Sequence, residues 1–310
     1  MPAAPEKILV IKLGALGDFI QAAGPMQAIR KSHPNAEITL LTTAPFLEFA
    51  QACNYFNHIW LDKKPRWFQI ARWQKLKRKL NEANFTRVYD LQNSDRTALY
   101  FKLFSPKPEW VGAVKGASHR NNSPERIKGH AFDGHVQTLS LAGINNINVD
   151  PLLWLSDDIS HFALKKPFVL LVPGASPGRS EKCWPAENFA ALAKNLAAQN
   201  YQPVILGSKN EKQISEIISR ECPSALDLTG KTSLAQIASL ARNSAACIGN
   251  DTGPVHLIAA TGCPVLALFS GTSNISKHGP KGENVQILQE NNLESLKPET
   301  VLQNFKVRNT

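Results

Sequence analysis

The stretch Ser244–Ser270 reads SAACIGNDTGPVHLIAATGCPVLALFS, and its apolar runs on either side of one polar turn decide the fold. Ala245 to Ile248 is a short apolar run that predicts a buried parallel strand. Gly249-Asn250-Asp251-Thr252-Gly253 makes a turn, and Pro254 opens a run whose apolar spacing suits a short helix. Proline is favoured at the first helical position because its missing N–H would be unpaired there in any case. Gly262 closes the helix, and Val265 to Phe269 predicts the next strand. The unit is βαβ, with its polar loop at the carboxyl end of a strand, where open α/β sheets bind ligands. Free N–H groups at such a helix start attract anions, above all nucleotide phosphates. Asp251 and Thr252 read equally well as ordinary helix caps.

The same grammar runs through the chain. Lys7 to Leu13, KILVIKL, predicts a central strand, Gly14-Ala15-Leu16-Gly17-Asp18 a turn, Phe19 to Ser32 a helix and Glu37 to Thr42 a second strand. Gly14 and Gly17 do not complete a dinucleotide fingerprint, and no Walker sequence is present. Asp18 follows the first strand, where it reads either as a cap or as chemistry. Arg87 to Leu91 predicts another strand, and residues 105 to 135 read as loops near a site. After a composition change between Asp150 and Pro167, strand and helix patterns restart at Phe168 and continue to a terminal helix over Leu293 to Phe305. The expected division is an N-terminal domain over 1–160, a C-terminal domain over 161–290 and a closing helix over 291–310. Asp157-Asp158 lacks a third ligand nearby and reads as solvated linker.

Length and composition set the outer limits. A chain of 310 residues accommodates two ordinary domains, and 43% hydrophobic with 19% charged residues describes a globular protein. The N-terminal apolar run is broken by Lys12 and Asp18, so no signal peptide is expected, and no stretch is long and apolar enough to span a bilayer. The five cysteines show no pairing or metal-ligand spacing, which fits a reducing cytoplasm.

The net charge of +10 points to an anionic partner. Nine of the basic residues fall between Asp62 and Arg87, against two acids. Within Arg66 to Leu80, the residues Trp67, Ile70, Trp73, Leu76 and Leu80 follow helical spacing among lysines and arginines. Such a helix either packs its apolar face on the core or lies on an anionic membrane. No nucleic-acid-binding motif accompanies the charge.

One motif points elsewhere. Gly174-Ala175-Ser176-Pro177-Gly178 satisfies Gly-x-Ser-x-Gly, the nucleophile elbow of α/β-hydrolases. In that elbow the N–H after the serine helps form the oxyanion hole, and Pro177 has none. An esterase using Ser176 is the weaker alternative.

Five segments together resemble glycosyltransferase family 9, the ADP-heptose:lipopolysaccharide heptosyltransferases. They are Gly14-Ala15-Leu16-Gly17-Asp18, Pro173-Gly174-Ala175, Lys182-Cys183-Trp184-Pro185, Leu228-Thr229-Gly230 and Asn250 to Leu257, and the resemblance runs from Lys7 to about Ser270. It implies an α/β fold of GT-B architecture, two Rossmann-like domains facing each other across a cleft, with the final helix packing back on the N-terminal domain. It also implies inverting, metal-independent transfer of a heptose from ADP-heptose to an inner-core acceptor of the lipid A–Kdo type. No cofactor is implied beyond the ADP-sugar, which is the donor substrate.

Residue by residue, the resemblance makes Asp18 the base. It places Lys182, Ser176, Glu211, Thr232, Asp251, Thr252, Gly253 and His256 at the donor. Glu211 falls near the nucleoside, Thr232 in the adenine pocket and Asp251 on sugar hydroxyls. Ser176 to Ser180 depart from a threonine-rich version of the motif, which leaves the donor sugar open, another nucleotide sugar being the alternative. A nucleotide-sugar sensor is the non-enzyme alternative, countered by the presence of both the base and the lysine. Lys75, Lys77, Arg78 and Lys79 are the expected contacts to the acceptor, an anionic glycolipid at the cytoplasmic face of the inner membrane. The expected protein is cytoplasmic and peripheral to that membrane, a monomer, with no metal and no nucleic-acid partner.

Overall fold

Runs such as KILVI and FVLLV carry apolar side chains on both faces, so they belong in the middle of parallel sheets covered by helices on either side. The computed structural model describes residues 5–175 and 178–308 and divides into two units, Met1–Asp150 and Pro151–Thr310. Among the described residues each unit carries one six-stranded parallel sheet.

In the first unit the strands are β1 (Lys7–Ile11), β2 (Glu37–Thr42), β3 (His58–Leu61), β4 (Arg87–Asp90), β5 (Glu109–Gly112) and β6 (His119–Arg120). Their order is β3-β2-β1-β4-β5-β6. β1 is central, with Val10 opposite Leu40 on one side and Tyr89 on the other. The second unit repeats the plan with β7 (Phe168–Val172), β8 (Gln202–Ile205), β9 (Leu226–Asp227), β10 (Ala246–Asn250), β11 (Val265–Ser270) and β12 (Val285–Glu290). Their order is β12-β11-β10-β7-β8-β9. In both sheets the chain winds outward from the first strand, returns, and winds out the other way. The switch points lie between β1 and β4 and between β7 and β10, where a crevice opens at the carboxyl ends.

The boundary falls ten residues before the expected one, between Asp150 and Pro151. The cause is side-chain anchoring. Tyr55 Oη donates to the Asp150 carboxylate at 2.5 Å, tying that residue to the first unit. Arg242 donates to the carbonyls of Leu152 and Leu155, and Ser239 Oγ accepts from Asp157 N–H, so the next residues belong to the second. The terminal segment also departs from expectation. It is two short helices, Leu293–Ser295 and Pro298–Asn304, and Val301 is buried in the second unit's own core with Trp184, Phe189 and Leu196. Trp184 Nε1 donates to Leu296 O at 2.9 Å, which fixes this segment within the C-terminal unit.

Residues 105–135, expected as loops, hold β5, β6, a short helix and the start of the helix Ala131–Ser140. The basic helix starts later than its spacing suggests, at Ile70, and runs to Glu82. Trp73, Leu76 and Leu80 pack on the first unit's core, as expected of an amphipathic helix. Trp67 and Ile70 do not: they are 87% and 66% exposed.

Candidate active site

In the second unit, Asn250 at the end of β10 joins three of the segments that carry the resemblance. It is fully buried; its Oδ1 accepts from Trp184 N–H at 3.1 Å, and its Nδ2 donates to Pro173 O at 2.7 Å. The loop after β7, the Lys182–Trp184 segment and the β10 turn are thereby held together at the β7/β10 switch point.

One residue on, Asp251 Oδ2 accepts from Lys182 Nζ at 2.6 Å and from Ser273 Oγ at 2.9 Å. The Lys182 side chain keeps 21% exposure against 8% for Asp251, so the ammonium is the open end of the pair. Ser273 carried no sequence signal, since nothing before folding links it to residue 251.

The cap reading of this turn does not hold. Thr252 occupies the N-cap of the helix Gly253–Ala260 in extended backbone, with no side-chain capping bond. Pro254 has no N–H and Val255 N–H donates to Thr252 O at 3.1 Å, so the Gly253 N–H is the group at this helix start that no side chain of the turn caps, next to the Asp251 that holds Lys182. A cation and a helix start together make an anion site. His256 lies buried in the same helix.

The remaining donor candidates sit on the neighbouring strands. Glu211 Oε2 accepts from Ser208 N–H at 2.7 Å and Ser208 Oγ at 2.8 Å, a capping box after β8. Its side chain covers Gly174, where a Cβ would come within 2.7 Å of Glu211 Cγ; only glycine fits beneath it. Gly230 N–H donates to Gly207 O at 2.8 Å and brings the loop after β9 alongside. On that loop the hydroxyls of Thr232 and Thr229 are buried with no hydrogen-bond partner within the protein, so water or a polar group of a ligand has to satisfy them. Thr229 belongs to the Leu228-Thr229-Gly230 segment but was not among the expected donor contacts. Ser176 lies outside the described residues, and the helix after it begins only at Ala186, later than a nucleophile elbow requires.

In the first unit, Asp18 lies in the first turn of the helix Leu16–Ser32, whose N-cap is Ala15 and carries no side-chain bond. Asp18 is therefore not the cap. Below it, Lys12 is buried at the end of β1, with Nζ donating to Leu91 O at 3.1 Å. Burial lowers its pKa, opposed by the charges of Asp18 and Asp90. Asp90 is buried at the end of β4 and its carboxyl is pushed up to about 6 by burial, against amide bonds from Asn93 and Gln92. His135 is held well below its usual pKa by burial and by Lys12, so it is a neutral imidazole. None of these three carried a readable motif.

A depression of about 520 Å³ opens beside Gly14 and Ala15, with Lys64, Gln92 and Arg96 on its walls. Gly14 adopts φ 120°, and a Cβ there would meet the Phe46 ring at 2.8 Å, so glycine is required at the floor. Asp62 accepts from Lys64 N–H at 2.8 Å and from Tyr100 Oη at 2.5 Å, while Arg96 donates to Pro65 O and Tyr100 Oη.

The helix cations Lys75, Lys77, Arg78 and Lys79 do not line this depression. Lys79 Nζ stacks 3.8 Å above the Trp60 ring, and Arg78 faces Glu82 at 3.8 Å. Those two are structural contacts.

A two-sheet α/β chain with an anion-type half-site at one switch point has the design of a GT-B glycosyltransferase. The family description glycosyltransferase family 9 (heptosyltransferase) matches residues 150–306, and the chain belongs to that family. It is similar to lipopolysaccharide core heptosyltransferase OpsX of Haemophilus influenzae, with 26% identity covering 86% of this chain and 80% of that one. It is 31% identical to lipooligosaccharide heptosyltransferase 2 of Haemophilus ducreyi, covering 86% and 84%. The solved structure of Escherichia coli ADP-heptose lipopolysaccharide heptosyltransferase II superposes with a TM-score of 0.74 at 24% identity, covering 96% of both chains. The fold is GT-B.

Proposed function

We propose that the protein transfers a heptose from ADP-heptose to a lipopolysaccharide core acceptor, with inversion and without a metal ion or other cofactor. The observation that carries this reading is the Lys182–Asp251 pair beside the uncapped start of the helix Gly253–Ala260. A departing diphosphate needs positive charge, and a lysine with oriented N–H groups supplies it where other transferases use a cation.

Asp18 accepts the proton of the acceptor hydroxyl. The freed oxygen pair forms the bond to the anomeric carbon as the bond to ADP breaks, and ADP leaves with those electrons. Thr229 and Thr232 offer buried hydroxyls to the adenosine, with Glu211 beside them. Asp251 fixes Lys182, and its access to sugar hydroxyls is secondary to that task. His256 and Gly253 complete the donor half-site. Lys64 and Arg96 receive the acidic part of the acceptor. The names of the two relatives and of the solved structure support heptose, ADP and lipopolysaccharide as substrates. The proposed enzyme is a monomer acting at the cytoplasmic face of the inner membrane, with no nucleic-acid partner.

A thermal-shift panel of nucleotide sugars tests the donor, because a bound ligand stabilises the fold according to its occupancy. ADP-heptose and ADP should raise the melting temperature in buffer containing EDTA, while UDP- and GDP-sugars should not. Preferential stabilisation by a UDP-sugar, or stabilisation only with a divalent cation, would overturn it.

A further inference from the structure

The turn before the basic helix holds the largest exposed aromatic group among the described residues. Trp67 is 87% exposed, Phe68 54% and Ile70 66%. The two rings pack edge to face at 5.6 Å, forming one ridge. The backbone beneath them is fixed: Trp73 Nε1 donates to Arg66 O at 3.1 Å, Gln69 N–H donates to Arg66 O at 2.9 Å and Arg96 donates to Pro65 O at 3.4 Å. An ordered turn that keeps two aromatic rings and an isoleucine in water costs solubility, and such groups mark contact surfaces.

The surrounding charge selects the partner. Residues 63–81 contain eight lysines and arginines and no acid. Asp62, the acid just before them, is buried and held by Tyr100 and Lys64 N–H. Apolar side chains ringed by cations match a bilayer with anionic headgroups, in which tryptophan rests at the boundary between headgroups and acyl chains. Lys64, three residues before Trp67, lines the depression beside Gly14.

We propose that Trp67, Phe68 and Ile70 insert into the acyl boundary of an anionic membrane, with Lys63, Arg66 and Arg72 on its phosphates. The docking element is thus the turn at 67–70, not the 75–79 face of the helix. The link from this membrane contact to a lipid-borne acceptor rests on the transferase reading above; the contact itself does not.

The test is co-sedimentation of the full chain with phosphatidylglycerol vesicles and with phosphatidylcholine vesicles, for wild type and a Trp67→Ser/Phe68→Ser double variant. Wild type should bind the anionic vesicles preferentially, and the variant should bind them at least about tenfold more weakly, the partition lost with two large apolar side chains. Phosphatidylglycerol brominated in its acyl chains should quench wild-type tryptophan fluorescence, and Trp67→Phe should lose that quenching while still sedimenting. Equal vesicle binding by wild type and the double variant would overturn the proposal. So would wild-type self-association without vesicles that the double variant abolishes, because the ridge would then be a contact between copies. Heptosyl transfer to a water-soluble, deacylated acceptor separates the two readings. Transfer by both proteins with lost vesicle binding supports both; lost vesicle binding with no transfer by either retains the docking turn and removes the reaction.

Discussion

Lys182 Nζ and Asp251 Oδ2 lie 2.6 Å apart, joining two turns 69 residues apart in the chain. Ser273 donates to the same carboxylate oxygen, so Asp251 is engaged within the protein and Lys182 retains ammonium N–H groups for a diphosphate. Lys182→Ala should weaken ADP-heptose binding by about 10- to 100-fold, the range of a hydrogen bond to a charged group. Asp251→Asn should lose part of the same affinity by releasing the lysine. Calorimetry decides: tighter binding by Asp251→Asn would make the carboxylate a competitor for Lys182 instead of its holder.

Asn250 makes a stability prediction at the same place. Asn250→Ala leaves the buried Trp184 N–H and Pro173 C=O without their partners. The expected loss is about 2–4 kcal/mol, from two unsatisfied buried groups. Urea unfolding followed by fluorescence would measure it, and a change below about 0.5 kcal/mol would show that the three turns are held by something else.

Asp90 predicts a pH dependence. Its folded-state pKa, about 6, lies above the usual carboxylate range, so the folded protein binds this proton more tightly than the unfolded chain does. Stability should therefore fall as pH rises from about 4 to about 6. Above that window the cost of the buried charge is fully present. Asp90→Asn should remove this slope, changing the wild-type-minus-variant difference between pH 4 and pH 7 by about 1–3 kcal/mol. Parallel pH profiles for the two proteins would mean that the carboxyl titrates normally.

The parts of this protein that could be read from its sequence are those whose physics is local. β1, β2, β7 and β10 are aliphatic runs, and Glu37–Thr42 and Phe168–Val172 matched their predicted bounds residue for residue. β3, β5 and β6 are two to four residues long and too short to show a period, so they were missed. β12 was missed because five of its six residues are half-buried and none is fully buried. Asp18, Lys182 and Asp251 were recognisable inside motifs. Ser273, Lys12, Asp90, Lys64 and Arg96 carried no motif; Ser273 reaches Asp251 and Lys12 reaches Leu91 O only when segments far apart in the chain meet. Thr229 stood inside the Leu228-Thr229-Gly230 segment, but the burial of its hydroxyl could not be read there. Lys79 shows the opposite limit: charge density is visible in a sequence, while the Trp60 ring beneath this lysine is not.

The most direct test of the account is heptosyl transfer itself, followed by mass spectrometry. Wild type and Asp18→Asn are incubated with ADP-heptose and a lipid A–Kdo acceptor in the presence of EDTA. Because Ala15 and not Asp18 holds the N-cap, the substitution should leave melting temperature and donor affinity close to wild type. Wild type should add one heptosyl residue to the acceptor. Asp18→Asn should do so about 10²–10⁴ times more slowly, the range of general-base catalysis. No transfer by wild type, or transfer by Asp18→Asn within a few-fold of it, would contradict the account.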